Sequence, residues 1–191
     1  CSGFLFALVT ASQFLETGTY SSALVVGADA MSRWVDWGDR NTCILFGDGA
    51  GAVVIEKGGS GLLGFSMGSN GAGRNKLALP YNGNRLPLIG GKSATVVGPR
   101  AMVMEGKSVY IFAVTTVPKV LKEALADASL SVDDVDCFLL HQANERIIEA
   151  IADRIGVPKA KSIINMDENG NTSLWLSQGC YISAKCIVTG H

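Results

Sequence analysis

Val135-Asp136-Cys137-Phe138-Leu139-Leu140-His141-Gln142-Ala143-Asn144 is the stretch whose reading decides the fold. Its apolar first part, residues 135–140, reads as a buried strand, and His141 falls at the strand's end. From Asn144 the period changes. Ile147, Ile148, Ile151 and Ile155 recur on one face, so residues 144–155 read as an amphipathic helix, stopped by Gly156-Val157-Pro158. A buried strand that feeds a helix is an α/β signature. In such folds ligands gather beyond the carboxyl ends of strands, which is where His141 stands.

Reading outward gives the same class. Residues 1–15 are apolar on nearly every side and contain no Pro, which predicts a fully buried helix ended by Glu16-Thr17-Gly18. Residues 22–27 are short, apolar and β-branched, a buried strand. Residues 42–46 read as another strand, Gly47-Asp48-Gly49-Ala50-Gly51 as a turn, and residues 52–55 as its hairpin partner. Residues 58–106 are rich in Gly, Asn and Pro and read as a loop-rich connection with a few edge strands. Residues 107–128 regain helical spacing, with Pro118 expected to kink or restart the helix. Ser131-Val132-Asp133-Asp134 reads as a cap and turn, and Ile163-Ile164-Asn165 as the start of one more strand. Four segments follow: 1–58, 59–106, 107–173 and 174–191.

Composition excludes several classes. The 191 residues are 48% hydrophobic and 17% charged, so they can bury a core. A net charge of −1 without a basic run is no footprint for nucleic acid. The apolar stretch 4–9 is too short to span a bilayer. Cys1, Cys43, Cys137, Cys180 and Cys186 form no Cys-x-x-Cys or zinc spacing, so no metal is expected, and their odd number suits a reducing compartment. Cys1 is not an initiator Met, so an N-terminal portion is expected to be missing.

Three side chains carry candidate chemistry. Cys1, ahead of a helix, would meet the positive end of the helix dipole and free N–H groups, both of which favour thiolate. Its plain alternative is a small buried residue. His141 suits a general base or a neutral donor to an oxyanion; its alternative is a cap for the next helix. Asn171 offers an amide donor to the same oxygen, or simple turn chemistry in Asn-Gly-Asn. Gly47-Asp48-Gly49-Ala50-Gly51 is not a dinucleotide loop, because a strand-like run follows it instead of a helix.

Cys1-Ser2-Gly3-Phe4, Val25-Val26-Gly27-Ala28-Asp29, Phe46-Gly47-Asp48-Gly49-Ala50-Gly51-Ala52, Met104-Glu105-Gly106, His141-Gln142-Ala143-Asn144 with Arg146-Ile147, and Gly170-Asn171-Thr172-Ser173 together resemble the β-ketoacyl-acyl-carrier-protein synthase III family. They stand in that family's order and approximate spacing, up to Ser173. Ser32-Arg33-Trp34-Val35-Asp36-Trp37 looks most like cyanobacterial and plastid members. The resemblance implies a thiolase-like layered α/β fold, incomplete at its start and altered at its end. It also implies decarboxylative Claisen condensation of an acyl-CoA, usually acetyl-CoA, with a malonyl-acyl-carrier protein, which initiates fatty acid synthesis.

In that reading Cys1 is the nucleophile that takes the acyl group, and His141 and Asn171 bind the malonyl thioester carbonyl. Arg40, Ala143 and Asn144 match positions lining the CoA or pantetheine channel, and Arg146 a carrier-protein docking position. Acyl-CoA and malonyl-carrier are substrates, so no cofactor or metal is expected. The partners implied are an acyl carrier protein and, when the chain is complete, a second copy of itself. The compartment implied is bacterial cytoplasm or plastid stroma.

The departures from the pattern define the alternatives. The family has a half-fold before the nucleophile, and it often carries a basic residue where this chain has Ile111. Residues 174–191 match nothing in it, which suggests a shifted frame or misjoined exon; resequencing the transcript across residues 172–191 tests that. Little activity is expected of the chain alone, and robust condensation by the purified chain would contradict this. Rival readings are a polyketide-synthase-like condensing enzyme, a non-catalytic remnant that only binds, and an N-terminal-nucleophile hydrolase, which would need Cys1 to lead a strand.

Overall fold

A computed structural model describes residues 2–58, 61–80, 82–87, 93–98, 101–164, 171 and 186–190. Helix α1 spans Gly3–Glu16. The hydroxyls of Thr10 and Ser12 donate back to the carbonyls of Phe6 and Leu8, at 2.7 and 2.9 Å, so polar side chains in an apolar helix need no outside partner. Gly18, at φ +74°, turns the chain out of the helix in the left-handed region, as the sequence implied. Strand β1 (Ser22–Ala30) follows and pairs antiparallel with β2 (Asp48–Glu56), from Ser22 opposite Glu56 to Ala30 opposite Asp48.

The hairpin expected between residues 42 and 55 is not formed. Residues 41–45 are turns, only Phe46 makes an isolated bridge, and β2 already begins at Asp48. The Asp39 carboxylate causes this. It accepts from the Asn41 backbone N–H at 3.0 Å, the Asn41 amide at 2.9 Å and the Thr42 hydroxyl at 3.0 Å, which curls the chain and buries Thr42 completely. Those bonds also hold the Asp39 carboxyl below the usual range, the Asn41 N–H contributing most. The glycines read as a turn instead lie in β2. Gly49, Ala50 and Gly51 face Asp29, Ala28 and Gly27, so two small-residue strands approach each other.

Among the described residues, five short strands occupy the segment expected to be loop-rich with a few edge strands: β3 (Leu62–Met67), β4 (Leu77–Ala78), β5 (Asn82–Pro87), β6 (Ser93–Gly98) and β7 (Val103–Met104). β5 pairs with β6, and β4 with β7. Strand β8 (Cys186–Gly190), in the tail, lies parallel to β3.

Helix α2 (Gly106–Asp127) packs along β3. Asp127 accepts from the Phe65 N–H at 3.0 Å, and Glu123 from the Ser66 hydroxyl at 2.8 Å. Gly64 lets the two backbones touch: a Cβ there would lie 2.7 Å from the Ala128 nitrogen. The helix runs through Pro118 without restarting. After it, Ser131 donates through its N–H and hydroxyl to Asp134, at 2.8 and 2.6 Å, the expected cap and turn.

The strand expected at residues 135–140 reduces to one parallel bridge, Phe138 with Ser162. Phe138 donates to the Lys161 carbonyl at 2.7 Å and accepts from Ile163 at 3.3 Å. A ladder needs successive pairs, and among the described residues only this one forms here. Helix α3 (Glu145–Ile155) matches its expected bounds, with Gly156 at φ +78° ending it. Ile147, Ile151 and Ile155 join Val114, Leu121 and Phe138 in the principal core. Ile148 is also buried.

α1 is not buried on every side. Phe4, Val9 and Leu15 are covered, while Phe6 and Phe14 stand 37% and 48% exposed. Leu24, Val26 and Val54 on the β1–β2 sheet are exposed too. An all-round apolar helix needs neighbours on every side, and the described residues cover one face.

Candidate active site

A cavity of about 950 Å³ opens between the N-terminal end of α1, the first half of α2, and the chain entering α3. Ser2 and Leu5 reach it from α1, Gly106 and Phe112 from α2, and His141 and Asn144 from the α3 entry. A shallower hollow beside Phe14 and Met67 carries no acid, base or imidazole.

His141 is set by its neighbours. Gln142 is buried, and its amide nitrogen donates to the carbonyls of Leu140 at 2.9 Å and Ile163 at 3.0 Å. Those bonds tie the bend that carries His141 to the chain at Ile163, and Ala143 donates to the His141 carbonyl at 2.8 Å. The imidazole keeps accessible surface toward the cavity, yet protein crowds it closely enough that desolvation pushes its pKa down to about 4. At neutral pH the ring is therefore uncharged, with one nitrogen a donor and the other an acceptor.

Asn171 is brought to the same cavity by backbone pairing. It pairs in parallel with Phe46: its N–H donates to Leu45 at 2.8 Å and its carbonyl accepts from Gly47 at 2.8 Å. The residue is 4% exposed and lines the cavity. An uncharged imidazole and a carboxamide in one partly enclosed space can both donate to a developing oxyanion without ionising.

Cys1 lies outside the described residues, as do Thr172 and Ser173; Ser2, which follows Cys1, lines the cavity. Ala143, Asn144 and Arg146 line it as well. The helix cap given as the alternative for His141 falls on Asn144 instead: its side-chain oxygen accepts from the Arg146 N–H at 2.9 Å. Arg40 is exposed just ahead of the 41–45 turns and is not among the lining residues. Among the described residues no three His, Cys, Asp or Glu side chains cluster as a metal site.

Sequence reasoning missed Gln142 as the tie, because one of its acceptors, Ile163, lies 21 residues away. It also passed over Arg74 and Lys76, which line the cavity and stand in the Gly-rich segment read as a connection.

Helix α1 leading into an antiparallel pair, His141 on the chain entering α3, and Asn171 bridged to Phe46 are the arrangement of the thiolase-like α/β class. Solved relatives agree. The β-ketoacyl-acyl-carrier-protein synthase III of Thermus thermophilus superposes with TM-score 0.78 and 39% identity, over 91% of this chain and 53% of its own. A priming β-ketosynthase from the R1128 polyketide pathway gives TM-score 0.74 and 34% identity, over 90% of this chain and 51% of its own.

Residues 1–71 match the family model for 3-oxoacyl-[acyl-carrier-protein] synthase III, and residues 125–175 the model for its C-terminal part. The β-ketoacyl-[acyl-carrier-protein] synthase III of Synechococcus sp. (strain WH7803) is 55% identical over 174 residues, 91% of this chain and 52% of the relative. That of Microcystis aeruginosa (strain NIES-843) is 50% identical over 175 residues, covering 53% of the relative. The chain belongs to the β-ketoacyl-acyl-carrier-protein synthase III family. It spans about half the length of the curated relatives it matches.

Proposed function

We propose that this chain carries the condensing chemistry of its family, joining an acyl-CoA, by preference acetyl-CoA, to a malonyl-acyl-carrier protein. The supporting observation is that the neutral His141 and the backbone-anchored Asn171 line one cavity with Ser2, next in sequence to Cys1.

The steps follow from those groups. The Cys1 thiolate attacks the acyl thioester carbonyl, and the CoA thiolate leaves and takes up a proton. The malonyl thioester then binds with its carbonyl oxygen facing His141 and Asn171. Its C–C bond to the carboxylate breaks, CO₂ departs, and the electron pair becomes an enolate whose charge rests on that oxygen. Two fixed donors stabilise it, each worth about 3 kcal/mol in comparable oxyanion holes. The enolate carbon attacks the acyl-Cys1 carbonyl, and the Cys1 thiolate leaves. Ala143, Asn144, Arg40 and Arg146 are assigned to the CoA and carrier side. The partners are acyl-CoA and an acyl carrier protein, in bacterial cytoplasm or plastid stroma. No helix among the described residues is long and apolar enough to cross a membrane.

Single-turnover labelling tests this, both on the purified chain and on the same residues grafted in place of the matching stretch of the Synechococcus relative. Radiolabel from acetyl-CoA should reach Cys1. Cys1→Ala should abolish it. His141→Ala and Asn171→Ala should keep the label but lose CO₂ release from the malonyl thioester by about a hundredfold each. No label on Cys1 in either form would overturn the proposal. The resemblance to the polyketide priming ketosynthase supports a second reading, with malonyl-CoA in place of the malonyl carrier; comparing the two malonyl donors separates them.

A further inference from the structure

The cavity that holds His141 and Asn171 has a charge pattern that the whole chain does not share. The chain's net charge is −1, yet among the described residues the cavity lining contains Arg74, Lys76 and Arg146 and no Asp or Glu. Lys76 is spoken for, because Glu105 forms an ion pair with it from outside the lining. The guanidinium groups of Arg74 and Arg146 have no ion-pair or hydrogen-bond partner among the described residues. Two uncompensated guanidinium groups beside apolar walls such as Leu5, Phe112 and Val117 make a field that favours an anion.

The backbone that carries Arg74 is anchored on both sides, and its side chain is exposed. Asn70 accepts from the Ala72 N–H at 3.1 Å and caps the 3-10 turn Gly71–Gly73, which Arg74 ends. Two residues later the chain is tied down: Glu105 donates its N–H to the Lys76 carbonyl at 2.7 Å, where β4 meets β7. A guanidinium on a short, anchored turn presents a planar fork of donors that matches phosphate oxygens in pairs.

We propose that Arg74, together with Arg146, recognises a phosphate of the pantetheine-bearing thioester ligand. The proposal rests on the condensing-enzyme reading above and adds a residue and a ligand group to it. The apolar walls take the arm, and the two guanidinium groups take its anionic end. The phosphate has two sources, the one shared by CoA and a carrier protein's arm, and the further phosphates found only on CoA.

Isothermal titration of the purified chain with CoA, 4′-phosphopantetheine and pantetheine tests it, comparing the wild type with Arg74→Gln and Arg74→Lys. Arg74→Gln should weaken CoA binding about tenfold, the scale of one lost charge-assisted contact. Arg74→Lys should fall between, since it keeps the charge and loses the fork. Pantetheine, which has no phosphate, should bind all three alike. A loss shared by 4′-phosphopantetheine assigns Arg74 to the arm's own phosphate; a loss confined to CoA assigns it to the nucleotide phosphates. Either upholds the inference. Unchanged CoA affinity in Arg74→Gln, or an equal loss for pantetheine, overturns it and leaves the condensing reading standing. A wild-type chain that binds none of the three overturns both.

Discussion

Arg154 donates to the carbonyl of Val114 at 2.5 Å, across 40 residues of sequence. That carbonyl is the one Pro118 leaves without its helical donor, because proline has no N–H to return to the residue four before it. α3 thus repairs a defect that α2 carries, and α2 passes through Pro118 unbroken. The same bond ties the two helices that wall the cavity.

Arg154→Met should therefore cost about 1–3 kcal/mol, the range for a partly buried acceptor losing its charged donor. In a Pro118→Ala background the alanine N–H can serve Val114, and the same Arg154 change should cost clearly less. Urea denaturation of the four chains measures the coupling; strictly additive losses would show that the bond is incidental.

Gly64 should tolerate no side chain. An alanine Cβ would meet the Ala128 nitrogen at 2.7 Å and the Ala124 carbonyl oxygen at 2.9 Å, both backbone atoms of the α2 terminus. β3 and α2 would have to separate, at about 1–3 kcal/mol. Gly61→Ala, with nothing within 4 Å, is the control and should change the melting temperature little.

His141 gives stability a defined pH dependence. Its folded pKa of about 4 lies below the ordinary 6.5. Between those values the unfolded chain binds a proton that the folded chain does not, so stability is lost as pH falls through that window and levels off below it. His141→Gln should flatten that part of the stability curve between pH 6.5 and 4. Direct titration of the ring by NMR should find it neutral at pH 6.

Asn144 separates capping from ligand contact. Asn144→Ala should cost about 1 kcal/mol of stability, because the Arg146 N–H loses its acceptor. Asn144→Asp keeps an acceptor and should restore most of that, as thermal unfolding would show. A parallel restoration of condensation would mean that the cap is the residue's main contribution.

The helices were legible because their causes are local. The isoleucine stripe of α3 and Gly156 lie within one short stretch and came out as read, while the cap fell to Asn144 and not to His141. The strands were less legible because a strand is defined by its partner. Residues 135–140 have the right composition but pair only at Phe138, and Gly49 and Gly51 were read as a turn because their small partners Asp29 and Gly27 lie about twenty residues away. The site divides in the same manner. His141 and Asn171 were recognisable as residue types in a family pattern, and the structure places both on one cavity. The tie at Gln142 and the cationic lining at Arg74 depend on what surrounds them, and no spacing in the sequence announces either.

Asn171 is moored through main-chain atoms at positions 45 and 47, while the side chains of Leu45 and Phe46 form part of the cavity wall. Mooring and wall are thereby uncoupled. Substitutions at those two positions can reshape the cavity while the main-chain bonds that hold Asn171 remain. Changes in chain-length preference along this lineage have a route here that leaves the reaction itself untouched.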